Sequence, residues 1–465
     1  MTSVVVCGGS VIGLSTAMLL ARDGHDVTVL ERDPVGAPDD PRDAWNEWPR
    51  AGVAQFHQPH NIFPRVQLIL DAELPGLTAR LVDAGCYVWE PLTALPPALA
   101  GEPRPGDDRF HFPTGRRPTV EAVFAGAARH HPGVTVRRGV GVDGLLTGAS
   151  VVDHVPHVTG VRTKGGDELR ADLVVDAMGR RSPLADWLAA LGARPPEMES
   201  EDQGFVYYTR YYAGDAVPPM FGPPLAPMGT FSLLTLPGDN GTWSVTLWAA
   251  ASDPLLREVR DPEQFSNVVR ACPLHAHWLD GDPITGVLAM AAILDKHRRF
   301  VVHGRPVVTG VVAVGDAWAC TNPSAGRGIS VGLVQAQCVR DAARDAFDDP
   351  VALAIRVDDL TEARATPFFW NQIHADRARI AEMDALRAGA EPPPPTDPAL
   401  ALLQKAMPHD GDALRAAFEI TMCLALPQEV FARPGFMDKL AAYADAESPP
   451  FPGPSRDDLA GILSG

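Results

Sequence analysis

Three short stretches of this chain hold residue types whose spacing could do chemistry. The first, Gly8-Gly9-Ser10-Val11-Ile12-Gly13, follows a β-branched run at 3–6 and opens a segment of helical spacing. Glycines there let the backbone turn tightly and approach a phosphate, whose charge is drawn to the free N–H groups of a helix start. Ser10 stands where the dinucleotide pattern has its second glycine; it is small enough to keep the approach open, and its hydroxyl could add a hydrogen bond. Glu31 closes a second β-branched run at 27–30, near the spacing of about 20 residues at which an acidic side chain binds a ribose hydroxyl. Gly8, Gly9, Ser10, Gly13, Glu31 and the adjacent Arg32 are therefore the first candidate nucleotide-binding residues. The second stretch lies far downstream. A strand at 311–314 ends in Gly315-Asp316, and a turn leads to Asn322-Pro323-Ser324-Ala325-Gly326-Arg327-Gly328-Ile329, another glycine-bearing helix start. The third, Asp176-Ala177-Met178-Gly179-Arg180-Arg181-Ser182, is a strand running into a turn.

The second stretch resembles the Gly-Asp fingerprint of flavoprotein hydroxylases of the para-hydroxybenzoate hydroxylase fold. In Gly52-Val53-Ala54-Gln55-Phe56-His57-Gln58-Pro59-His60 the wording is similar to actinobacterial epoxidase-like and hydroxylase-like FAD oxidoreductases. The resemblance covers roughly residues 1–350. It implies FAD as cofactor, with Asp316 on the ribityl chain and Pro323, Gly326, Gly328 and Ile329 presenting backbone N–H groups to the pyrimidine edge of the flavin ring. Reduced flavin carries negative charge near that edge, which a helix start stabilises. The resemblance also implies Arg117 on the FAD ribose or pyrophosphate, where a guanidinium suits phosphate by charge and planar donors, and backbone contact from Val142 to adenine. Met178 stands where single-component aromatic hydroxylases carry the aspartate of an Asp-Gly pair. The local wording is nearer the Asp-Ala-Thr-Gly-Arg form of flavin halogenases, geranylgeranyl-type reductases and polyether-type epoxidases. The electron donor is therefore open: NAD(P)H used directly, or through a separate flavin reductase.

The function so implied is FAD-dependent monooxygenation. One oxygen atom from O2 enters an apolar organic substrate, such as a natural-product intermediate, by hydroxylation or epoxidation through a flavin C4a-hydroperoxide. The oxygen chemistry belongs to the cofactor, while the protein positions the substrate and excludes water. No catalytic side chain is named. The alternatives are a geranylgeranyl-type reductase or dehydrogenase, a flavin halogenase (whose W-x-W-x-I-P segment Trp243 and Trp248 do not reproduce) and a flavin-binding protein without turnover. His57 and His60, three apart, lack further ligands nearby, so no metal site is read there.

These residues need a scaffold. The 465 residues exceed one ordinary domain. The fold class is α/β: a Rossmann-like FAD-binding domain in two parts, 1–184 and 306–350, an inserted antiparallel β-sheet substrate domain at 185–305, and a helical C-terminal region at 351–465. The first thirty residues carry a βαβ pattern, with Gly24 as helix stop. Strands are expected at 134–138, 140–146 and 173–177, and helices near 66–84 and 118–130. Loops are expected at 36–50, 91–115 and 218–228. Alternating runs such as Thr242-Trp243-Ser244-Val245-Thr246-Leu247-Trp248 predict the inserted sheet; with Trp243 and Trp248 on opposite faces, only one can meet a ligand, and core packing is the expected role of most aromatics there. Glu391 and the four prolines after it form a stiff break. A formal net charge of -18 argues against a broad nucleic-acid surface. The absence of an export signal, of a run of roughly 18 apolar residues and of any C-x-x-C pair among six scattered cysteines predicts a cytoplasmic protein with no integral membrane span and no disulfide framework.

Overall fold

The β-branched runs form a parallel sheet because their residues are buried on both faces. The computed structural model describes residues 2–447 and 450–464. In chain order its main elements are β1 (Ser3–Cys7), α1 (Val11–Arg22), β2 (Asp26–Glu31), α2 (Arg117–Arg129), β3 (Val134–Arg138), β4 (Val142–Thr147), β5 (Val158–Thr163), β6 (Leu173–Asp176), β7 (Phe205–Ala213), β8 (Leu225–Met228), β9 (Phe231–Pro237), β10 (Thr242–Ala250), β11 (Val311–Ala313), α3 (Gly328–Ala346), α4 (Thr366–Arg387), α5 (Pro398–Ala406) and α6 (Gly411–Thr421). The parallel sheet has the order β11-β6-β1-β2-β3. Val4, Val6, Val27, Val29 and Val175 are almost wholly buried, as the strands of a covered parallel sheet must be. Helix α1 packs against α2 and α3. In such sheets ligands bind beyond the carboxyl ends of the strands, where β1, β6 and β11 here deliver Gly8, Ala177 and Gly315.

Between β6 and β11 the chain builds an antiparallel sheet in the order β8-β9-β10-β7, extended by Asp282–Pro283 and Leu288–Ala291 on the far side of β7. After α3 the described chain is almost entirely helical. Among the described residues, no helix is long and apolar enough to cross a membrane.

Several local expectations need correction. Residues 218–228 are not all loop, since β8 pairs with β9. Pro227 is tolerated because β8 is an edge strand. Residues 91–115 hold the one-turn helices Pro91–Ala94 and Pro97–Ala100 and a strand, Phe112–Thr114, ordered by burial of Trp89, Phe110 and Phe112. Residues 36–50 include the helical turn Ala44–Glu47, and β4 starts at Val142 rather than at 140.

Candidate functional site

The turn after β1 is as tight as its glycines predict. Gly8 has φ +115°, and a Cβ there would collide with the Ala177 carbonyl; a Cβ on Gly13 would collide with the Gly8 carbonyl. Gly9 donates its N–H to Glu31 Oε2 at 2.9 Å, which docks the end of β2 against the turn. Ser10 also has partners within the chain. Its hydroxyl donates to Glu121 Oε2 at 3.0 Å and accepts from Arg117 Nη2 at 2.8 Å, so it orients an arginine.

That contact belongs to a buried charge network. Arg50 reaches Glu31 at 3.1 Å, Asp33 at 3.1 Å and Glu121 at 2.8 Å, with only 1% of its side chain exposed. Arg117 pairs with Glu121 at 2.8 Å, four residues on along α2. Burial alone would favour a neutral Glu121, yet Arg117 and Arg50 outweigh it and hold the carboxyl below its usual range. Arg116 turns the other way, gripping Asp239 through Nε at 3.0 Å and Nη2 at 2.8 Å, and so ties the start of α2 to the antiparallel sheet. His60 lies on the cavity wall beside Arg117; burial first, then that guanidinium, pushes it down to about 3, so it is neutral.

The second cradle faces the first. Asp316 lies in a single 3-10 turn, Gly315–Ala317, after β11. Burial raises its carboxyl above the ordinary value, against the pull of Arg117, Arg180 and Arg298. Pro323–Ala325 form another such turn, Gly326 takes φ +69°, and α3 then starts at Gly328, whose missing side chain leaves open space. Two buried amides nearby keep carbonyl oxygens unpartnered, Gln58 Oε1 and Asn61 Oδ1.

One cavity of about 3050 Å³ joins these parts. Gly8, Gly9, Ser10, Gly13, Glu31 and Arg32 line it at one end. Arg117 and Val142 lie along it, and Asp316, Pro323, Gly326, Gly328 and Ile329 line the opposing turn. Beyond that turn the wall is the antiparallel sheet, with Tyr207, Thr209, Leu236 and Trp248, completed by Met290 and Ile293. Trp248 faces the cavity, whereas Trp243 packs away from it, stacked on Tyr212 and donating Nε1–H to the Trp278 carbonyl at 2.8 Å. Tyr208 and Tyr212 belong to the hydrophobic core. Residues of α4, α5 and the proline segment between them form the remaining wall.

The volume far exceeds the roughly 300–1,000 Å³ of a single small-molecule pocket. It suits a dinucleotide with a second ligand beside it. The residues fit FAD on structural grounds: a turn closed to any Cβ, a helix start with open space before it, a buried carboxylate at the strand end and unpartnered amide oxygens between them.

Sequence reasoning missed Arg50, Asp33, Glu121 and the amides of Gln58 and Asn61. Only Glu121 carried a signal, its i,i+4 spacing from Arg117.

Comparison with known proteins points the same way. Residues 3–39 match the family model described as FAD dependent oxidoreductase. Protein Rv3254 of Mycobacterium tuberculosis (strain ATCC 25618 / H37Rv) is 28% identical over 363 residues, which is 73% of this chain and 72% of that protein. The crystal structure of p-nitrophenol 4-monooxygenase PnpA from Pseudomonas putida DLL-E4 superposes with a TM-score of 0.59 at 17% identity, covering 93% of this chain and 100% of that one. The Diels-Alderase PyrE3 of pyrroindomycin biosynthesis superposes with a TM-score of 0.60 at 16% identity, covering 91% and 80%. These matches bear out the α/β fold class, the resemblance to FAD-dependent monooxygenases and the reading of the chain as an FAD-dependent oxidoreductase.

Proposed function

We propose that the chain is an FAD-dependent monooxygenase that places one oxygen atom from O2 into an apolar organic substrate, by hydroxylation or epoxidation. Residues 1–184 and 306–350 hold FAD, 185–305 bind the substrate, and 351–465 close the site. The observation that carries this reading is the continuity of one cavity from the glycine turn at Gly8 to the aromatic wall at Trp248. A fold shared with a Diels-Alderase does not choose the chemistry; the aromatic and aliphatic wall beyond the flavin-edge turn supports an apolar substrate held beside the ring.

When bound, FAD supplies the electrons and the oxygen activation. The chain's residues do the rest. The turn at Gly8–Gly13 and the guanidinium of Arg117 receive the pyrophosphate, and Glu31 the adenosine ribose. Asp316 anchors the ribityl chain. The start of α3, with Gly328 leaving space, offers N–H groups to negative charge on the pyrimidine edge. Tyr207, Trp248, Met290 and Ile293 hold an apolar substrate and displace water from beside the ring. Electrons come from NAD(P)H, directly or through a separate flavin reductase.

The test is rapid mixing of oxygen with the reduced, FAD-loaded protein. The expected trace shows a transient absorbing species before oxidised flavin returns. Single-step return with full release of hydrogen peroxide, in the presence of cavity-filling apolar compounds as in their absence, contradicts the proposal.

A further inference from the structure

Beyond the flavin-edge turn lies a second buried polar group that the cofactor reading does not use. Asp376, on α4, is 2% exposed, and among the described residues it makes no ion pair. Its Oδ1 accepts the hydroxyl proton of Ser324, and its Oδ2 accepts from Gln372 Nε2 at 2.9 Å. Gln372 Nε2 also donates to Ser324 Oγ at 2.6 Å. Because the Gln372 amide nitrogen faces two acceptors, its oxygen is fixed on the other side, where Oε1 is buried and unpartnered. Ser324 and Gln372 both line the cavity; Asp376 stands behind them.

The hydrogen-bond inventory sets the direction. A serine hydroxyl has one donor and two acceptor positions. At Ser324 the donor is spent on Asp376 and one acceptor position on Gln372, so what the hydroxyl has left, on a residue that lines the cavity beside Tyr207, is an acceptor position. Gln372 Oε1 is buried, so the acceptor this group offers the cavity is Ser324 Oγ. An acceptor hydroxyl with a carboxylate behind it suits a ligand that donates hydrogen.

We infer that Asp376 is a proton store for the cavity, receiving through Ser324 the proton of a ligand bearing an O–H or N–H acid group. This inference rests on the proposed function and names what its substrate carries. The ligand gives its proton to Ser324 Oγ while Ser324 passes its own hydroxyl proton to Asp376 Oδ1. The ligand becomes the anion, the carboxylate becomes the acid, and no electrons change hands. Asp376 is a positioning residue, since it acts through Ser324.

The surroundings permit the exchange. Burial pushes the Asp376 carboxyl up to about 7, against the hydrogen bonds from Ser324 and Gln372. Asp295, on the strand Asp295–Arg299, pushes the same way, and Arg327, ahead of α3, pulls down. Among the described residues Arg327 makes no ion pair with Asp376; its Nε donates to the Thr421 carbonyl at 3.2 Å and its Nη1 is buried without a partner. Tyr207 faces Asp376 from β7 as a neutral phenol, with burial raising it well above its ordinary value. Asp376 therefore changes charge near neutrality, where a carboxylate paired with arginine would not.

The experiment compares wild type, Asp376→Asn and Ser324→Ala. Infrared difference spectra of the protein without cofactor are recorded as pH crosses neutrality. Wild type is expected to lose one protonated-carboxyl signal near pH 7 that Asp376→Asn lacks and that Ser324→Ala shifts upward. The pH profile for reoxidation of the reduced, FAD-loaded protein, with an apolar phenol as probe, is expected to bend near 7 in wild type and to lose that bend in both variants. A carboxyl signal identical in wild type and Asp376→Asn overturns the proton store, and so does a bend that survives in both variants. A protein that never takes up FAD instead contradicts the proposed function, and leaves the infrared result standing.

Discussion

Two groups of buried carboxylates lie on or behind the wall of the same cavity and are handled in opposite ways. At the dinucleotide end Glu31, Asp33 and Glu121 share the guanidinium of Arg50, and Arg117 completes the set. Beside the aromatic wall, among the described residues, Asp295 and Asp376 are hydrogen-bonded by hydroxyl, amide and backbone groups and make no ion pair: Asn322 N–H on Asp295 at 2.6 Å, Ser324 and Gln372 on Asp376. The outcome follows from pairing. Cations hold Glu121 ionised despite complete burial, whereas burial without a cation lifts Asp295 to about 6 and Asp376 to about 7. Fixed charge suits a site that must hold the same phosphates and ribose every time. Titratable charge suits a site that exchanges protons with what it binds.

Breaking the first group should cost the most. Arg50→Ala leaves three carboxylates without their shared partner, and removing one member of a buried ion pair costs about 3–5 kcal/mol. Urea unfolding should show a loss of that size together with lost FAD uptake; a loss below about 1 kcal/mol, the range of exposed pairs, would place the network outside the core of the site. Next comes Gly13→Ala. Its Cβ meets the Gly8 carbonyl, so the turn must open, at about the 1–3 kcal/mol typical of overpacking, and the phosphate cradle is distorted. Flavin fluorescence should report little retained FAD in a chain whose circular dichroism is unchanged.

Smaller effects sharpen the contrast. In the proposed placement Glu31→Ala and Asp316→Ala each remove a hydrogen-bonding carboxylate from FAD, and a loss of about 1.5–3 kcal/mol corresponds to roughly a 10- to 100-fold weaker Kd. Glu31→Ala also frees Arg50 from one of three acids, so its stability loss should be the milder for the remaining two. The smallest effect is a slope. Asp376 has a folded value raised above the unfolded one, so between about pH 4 and 7 the native state binds the extra proton and stability falls as pH rises. Asp376→Asn should flatten that part of the stability curve in urea titrations at successive pH values; an unchanged slope would mean the carboxyl titrates in its ordinary range.

The comparison also shows what the sequence made legible. The βαβ unit was readable because the valines at 4, 5, 6, 27 and 29 are buried and the glycines at 8, 9 and 13 stand where an added Cβ would collide. The opposite faces of Trp243 and Trp248 followed from strand alternation alone. Arg50 was not readable. It sits in a stretch without period, and its partners at 31, 33 and 121 come together only when β2 and α2 pack beside the turn. The partners of Ser10 were hidden for the same reason: the fold brings Arg117 and Glu121 to its hydroxyl, and a local motif says nothing of them. Asp376 reads as one more polar residue on a helix of mixed composition, and only tertiary burial sets it apart.

The central claim is that one FAD is gripped from both ends of this cavity. Equilibrium titration of the purified chain with FAD, followed by quenching of flavin fluorescence, tests it most directly when Gly13→Ala and Asp316→Ala are run alongside. One FAD bound per chain, weakened by each substitution although they lie at opposite ends of the ligand, is the predicted result. Binding that neither substitution weakens, or a chain that takes up no FAD, contradicts it.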